Sequence, residues 1–116
     1  MALDAPLAIE RRDGKAPGTR ILQLSGPLTL SNLFGFQAEL RNGEPPRTAI
    51  LDLSAVPYMD SSGMGAIINY HVHCERKGAR MIVAGVNSRV LELFKLTHVD
   101  RVIAMSPTVE SAENQP

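Results

Sequence analysis

The spacing of apolar positions changes several times along the chain, and each change marks an element. Residues 7–10 and 20–25 are short runs carrying Leu and Ile, separated by a polar stretch at 11–18. The Asp13-Gly14 and Pro17-Gly18 pairs in that stretch are turn formers, so the two runs predict a hairpin with a long loop. After Gly26-Pro27 the interval lengthens. Leu33, Phe36 and Leu40 recur at helical spacing behind Ser31 or Asn32 as cap, and Asn42-Gly43 stops the run. Ala49-Ile50-Leu51-Asp52-Leu53 follows Pro45-Pro46, and so compact an apolar block between breakers suits a central strand covered on both faces. From Met64 the stripe 64, 67, 68, 71, 72 describes an amphipathic helix that ends near Lys77-Gly78. Met81-Ile82-Val83-Ala84 is a second buried strand. Asn87 or Ser88 then caps a helix with Val90, Leu93 and Phe94 on one face, and Val102-Ile103-Ala104-Met105 is a last short strand. The remaining 106–116 offer a helix start at Pro107 and then fade into a polar tail.

The resulting order is strand, strand, helix, strand, helix, strand, helix, strand. Helical segments separate the last strands, as right-handed crossovers between parallel strands require. This predicts an α/β protein: one domain over 1–116, with its core at about 7–105, built as a mixed β-sheet of about five strands with helices packed against it. No repeat of 20 to 50 residues supports a solenoid.

Composition narrows the function classes. Twelve Lys and Arg balance twelve Asp and Glu, and the basic residues are scattered, the densest group being Arg11, Arg12 and Lys15. Direct nucleic-acid binding is therefore not expected, because phosphate-backbone affinity comes from clustered basic side chains. The lone Cys74 excludes an internal disulfide framework and a thiolate zinc cluster. Met81 to Val86 is the longest stretch free of polar side chains, far short of the roughly 20 residues of a membrane helix. Asp4 interrupts the N-terminus where a signal peptide would be apolar, so a cytoplasmic location without membrane insertion is the expectation.

The segment that stands out is Met59-Asp60-Ser61-Ser62-Gly63-Met64-Gly65, placed where the central strand has ended and the longest helix begins. A helix N-terminus presents unpaired N–H donors and a partial positive charge. Asp60, Ser61 and Ser62 are all capping residue types, and one of them capping the helix is the plainest account. One cap suffices, however, and Gly inside a helix costs about 1 kcal/mol. Three consecutive capping residues with Gly63 and Gly65 behind them leave room for a second account, in which something approaches this turn closely.

Read together, Leu51-Asp52-Leu53, the loop through Pro57-Tyr58-Met59, the Asp60-Ser61-Ser62-Gly63-Met64-Gly65 box, Gly78, Met81-Ile82-Val83 and Val90-Leu91-Glu92-Leu93-Phe94 resemble the STAS domain family, and within it the bacterial anti-sigma factor antagonists. The specific part of the resemblance runs from residue 49 to 94, and the coarse element order extends it to about 7–105. It implies a non-enzymatic, cofactor-free regulatory module. In that family the Ser directly after the Asp is phosphorylated by a partner that is both anti-sigma factor and serine kinase, and a PP2C-type phosphatase removes the phosphate. That position is Ser61 here. The implied partner surface centres on Ser61, Ser62, Gly63 and Met64, with Met64 partly exposed, Asp60 positioning the acceptor hydroxyl or capping the helix, and Thr29 completing the rim. The chain departs from the family at 26–29: it has Gly26-Pro27-Leu28-Thr29 where antagonists commonly have Gly, any residue, Leu, Asp.

Other chemistry is weaker. A hydrolase would need a base beside Ser61, but His71 is ten residues along the same helix, about 15 Å away at 1.5 Å rise per residue. A nucleophile elbow of the Gly-x-Ser-x-Gly type is absent, because Met59 stands two residues before Ser61. His71 and His73 point to different sides of a helix and make a poor metal pair. Asp52 reads as a hydrogen-bonded or loop-facing carboxylate, Met59, Met64 and Met81 as core filler with Met64 partly exposed in the first turn, and Cys74 as buried and inert. The remaining rival is a STAS scaffold subunit of a larger assembly, of the stressosome or lipid-transport type.

Overall fold

The apolar runs become the inner strands of a five-stranded sheet: β1 (Ala8–Asp13), β2 (Thr19–Ser25), β3 (Thr48–Ala55), β4 (Arg80–Ala84) and β5 (Ala104–Ser106), in that spatial order. The computed structural model describes residues 6–40, 43 and 45–115. Asp4, Asn42 and Pro116, which the sequence reading used for a polar N-terminus, a helix stop and the tail, lie outside them. β1 pairs antiparallel with β2, and every later pairing is parallel, giving the expected mixed sheet. The parallel strands are joined by α1 (Leu33–Leu40), α2 (Ser61–Arg76) and α3 (Ser88–Leu96), while α4 (Val109–Glu113) follows β5.

The two faces of the sheet are covered unequally. Leu22, Leu24, Leu51, Leu53 and Val83 belong to the main core, together with Phe36, Ile67, Val90 and Phe94 of the three crossover helices. The opposite face carries the smaller cluster of Ile21, Ile50, Ile82, Ala84 and Ala112, the last of these from α4. β3 is therefore buried on both sides, which is why its sequence reads as a block rather than an alternation.

The differences from the sequence reading lie at the margins. β1 runs on to Asp13, so the hairpin loop is only 14–18, and β5 begins at Ala104 rather than Val102. Residues 102–103, expected to start β5, instead follow a 3-10 turn, Val99–Arg101, and the Ile103 N–H donates back to the Val99 carbonyl. A second 3-10 turn, Leu30–Asn32, leads directly into α1. α2 stops at a Schellman arrangement: Gly78, at φ +74°, donates to the Glu75 carbonyl and Ala79 donates to that of Cys74.

Candidate functional site

Parallel strands with returning helices place every helix N-terminus at the edge where the strands end, and the Asp60 segment lies on that edge. Before it, residues 56–59 run beside the loop that follows β2. The Leu28 N–H donates to the Tyr58 carbonyl at 3.1 Å, Met59 bridges to Leu28, and the Asp60 N–H donates to the Leu28 carbonyl at 3.2 Å. Asp60 is extended and caps α2. Its Oδ1 accepts the Gly63 N–H at 3.0 Å, and its Oδ2 accepts the Leu30 N–H at 3.1 Å. One carboxylate thus closes the first turn of α2 and ties down the start of the neighbouring 3-10 turn.

An amide side chain holds the loop from the other side. Asn87 caps α3 by accepting the Val90 N–H at 2.8 Å, and its Nδ2 donates to the carbonyls of Val56 and Pro57 at 3.2 and 3.1 Å. The Arg89 guanidinium lies 5.4 Å from the centroid of the Tyr58 ring. The turn that presents Ser61 is therefore fixed at both flanks by side chains bonded to distant main chain, contacts that only a folded sheet can assemble.

All the residues singled out from the sequence converge here, in unequal roles. Ser61 is exposed at the first position of α2, and among the described residues its hydroxyl has no hydrogen-bond partner. Ser62 is half-buried. Gly63 is buried against Leu28, where an added Cβ would overlap the Leu28 carbonyl oxygen, so this glycine is required by packing. Met64 is only 4% exposed and belongs to the main core, in line with its reading as core filler but without the partial exposure expected beside Ser61. Thr29 is 7% exposed, its hydroxyl 3.0 Å from that of Ser31, so it supports the rim from beneath. Sequence reasoning named Asp60 and Asn87 as capping candidates. It missed their second bonds and the exposed Leu30 and Phe34 beside them, since those contacts join segments about 30 residues apart.

The alternative chemistry stays apart. His71 pairs with Glu75 at 3.0 Å and His73 stacks on Tyr70, so neither is a base for Ser61. Asp52 is buried with its Oδ1 accepting the Ser54 N–H and hydroxyl at 3.0 and 2.7 Å. Among the described residues no group of three or more His, Cys, Asp or Glu converges to hold a metal ion, and no helix is long and apolar enough to cross a membrane. Farther along α2, a hollow of about 260 Å³ separates it from α1, lined by Gln37, Leu40, Ala66, Asn69, Tyr70 and His73. Burial pushes the Tyr70 phenol well above its ordinary value, with the neighbouring Cys74 adding to the effect, and burial likewise raises the Cys74 thiol.

The fold and the sequence place this chain in a known class. The model of the STAS domain family matches residues 12–112, and the chain belongs to that family. Among solved structures it is similar to a candidate anti-sigma factor antagonist of Thermotoga maritima, with a TM-score of 0.82 at 22% identity over 91% of this chain and 92% of that one. Among curated proteins it is 28% identical over 53 residues to the anti-sigma-B factor antagonist of Listeria monocytogenes, a match covering 46% of each chain. It is also 27% identical over 113 residues to solute carrier family 26 member 10 of Mus musculus, covering 88% of this chain and 16% of the carrier.

Proposed function

We infer that this chain is an anti-sigma factor antagonist: a cytoplasmic, non-enzymatic module that docks on a serine-kinase anti-sigma factor and is switched off by phosphorylation of Ser61. A PP2C-type phosphatase resets it. The observation that carries this reading is the unpartnered, exposed Ser61 hydroxyl at the first position of a helix whose entry turn is clamped by Asp60. The contact surface centres on Ser61 and Ser62, with Asp60, Gly63, Met64 and Thr29 shaping it from below. The likeness to the Listeria antagonist supports the same role. The match to the mouse carrier, which extends over most of this chain, favours a second reading as a STAS module within a larger assembly.

Phosphate at Ser61 adds a charge of about −1.5 to −2 where the helix dipole and free N–H groups welcome it by roughly 0.3 to 1 kcal/mol, so the modification should leave the fold intact. The switch then acts in the docked complex. An uncompensated interfacial charge costs roughly 2 to 5 kcal/mol, which exceeds the local gain and weakens binding about thirtyfold to several thousandfold. Calorimetric titration of the anti-sigma kinase with the unmodified chain, Ser61→Asp and Ser61→Ala tests this. Ser61→Asp should melt normally and lose affinity, and Ser61→Ala should bind but take no phosphate. Equal affinities for all three, or phosphate appearing on Ser62 alone in Ser61→Ala, refute the assignment.

A further inference from the structure

Five large apolar side chains are exposed among the described residues, and one of them, Leu30 at 60% exposure, is tied by its N–H to Asp60 beside Ser61, with Phe34 at 78% one helical turn further on. They are four residues apart along a continuous 3-10 and α-helical segment, so they are neighbours on its surface. The Leu30 N–H bonded to Asp60 Oδ2 fixes this apolar ridge to the residue next to Ser61. The segments that carry them are poor in charge. Across 21–38 and 53–74 the only Asp, Glu, Lys or Arg is Asp60, and Arg89 reaches this edge over the Tyr58 ring. Exposed aromatic and aliphatic side chains within a charge-poor patch are the composition of an interface core.

An independent observation comes from Gly65. Unlike Gly63, it has no atom within 4 Å of where a Cβ would sit, and its backbone is not left-handed, so nothing inside the protein requires glycine there. Glycine in a helix interior is a destabilising choice that this position keeps without an internal reason. Gly65 is four residues after Ser61 and so adjoins it on the helix surface. A bare helix at that spot lets another chain lie against the backbone.

Resting on the reading of Ser61 as the switch, we propose that Leu30 and Phe34 are the anchors by which this chain grips its anti-sigma kinase, and that Gly65 is kept bare for the same partner. The complementary partner surface is an apolar hollow that receives the ridge beside Ser61. A phosphate on Ser61 must then be desolvated at the margin of that contact, which joins the ridge to the switch.

The test is calorimetric titration of the serine-kinase anti-sigma factor encoded by the same genome, using the wild type, Phe34→Ala, Gly65→Ala and Ser61→Asp, with melting temperatures measured alongside. Phe34→Ala should weaken binding about thirtyfold without lowering the melting temperature. Gly65→Ala should weaken binding about tenfold or more while raising the melting temperature, a combination that a merely structural glycine would not give. If Ser61→Asp loses affinity while Phe34→Ala and Gly65→Ala bind like the wild type, the anchors are refuted and the switch stands. If Ser61→Asp binds normally while the other two are weakened, the anchors stand and the switch fails. No binding by the wild type refutes both. A wild type that sediments as a dimer beside a monomeric Phe34→Ala shows that the ridge serves a second copy, which also overturns the proposal.

Discussion

Gly63→Ala should destabilise the protein, although alanine is the better helix former. The added methyl would overlap the Leu28 carbonyl oxygen and come within 2.9 Å of the Leu28 Cγ. Leu28 is fully buried, and its carbonyl and N–H are engaged by Asp60 and Tyr58, so neither helix nor loop can withdraw without breaking a bond. Forcing extra volume into such a contact costs about 1 to 3 kcal/mol. A main-chain partner that cannot rotate away puts Gly63 at the upper end. Against this stands the gain of about 1 kcal/mol from replacing glycine inside a helix, leaving a net loss near 2 kcal/mol. For a chain of 116 residues, 1 kcal/mol corresponds to about 4 °C, so thermal unfolding followed by circular dichroism should show a drop of about 8 °C. Gly65→Ala is the internal control: its methyl meets nothing, and it should rise by about 4 °C. A Gly63→Ala protein that melts at or above the wild type, or two variants that shift in the same direction, would refute the reasoning.

Two further predictions concern stability. Asp60→Ala removes both the α2 cap and the tie to Leu30, and a lost cap alone costs about 0.5 to 2 kcal/mol. Hydrogen exchange should quicken at the Leu30 amide, and Asp60→Asn, which keeps one acceptor oxygen, should fall between; unchanged exchange at Leu30 in Asp60→Ala would show that the tie is not made in solution. The folded chain holds the Tyr70 and Cys74 protons more tightly than the unfolded chain, whose groups titrate near the ordinary values of 10.0 and 9.0. Their contribution to stability is therefore complete below about pH 9 and shrinks as the pH rises through the raised folded values. A Tyr70→Phe, Cys74→Ala variant should show a shallower alkaline fall in melting temperature, and an identical fall would refute the assignment.

What could be read from the sequence follows from where the relevant interactions lie along the chain. β3 and β4 were legible because burial on both faces leaves an uninterrupted apolar block, and α3 because Val90, Leu93 and Phe94 share one face behind an evident cap. The second half of β1 was not. Arg11, Arg12 and Asp13 sit exposed on an edge, held by backbone pairing with residues 20–22, and such pairing leaves no mark on side-chain pattern. β5 misled in the opposite sense: Val102 is apolar but 66% exposed at the end of a 3-10 turn. At the site, residue type was enough to find Asp60, Ser61 and Asn87. The second bond of Asp60, the burial of Met64 and the exposure of Phe34 depend on which loop lies beside α2, and that is a property of the assembled sheet.

The joint between the Leu28 segment and the Ser61 turn consists of the Leu28 carbonyl, the Leu28 N–H and the Leu30 N–H, all main-chain groups. Side chains at 30 and 34 take no part in it, so they can be exchanged without disturbing the geometry of the Ser61 turn. Leu30 and Phe34 thus behave as an interchangeable faceplate mounted on a fixed turn, while Ser31 and Asn32 between them hold the loop through Thr29 and Pro27. A protein built this way can acquire a new partner by altering two side chains while keeping the same Ser61 turn. Within one cell, several such chains could share a common design and still avoid crosstalk.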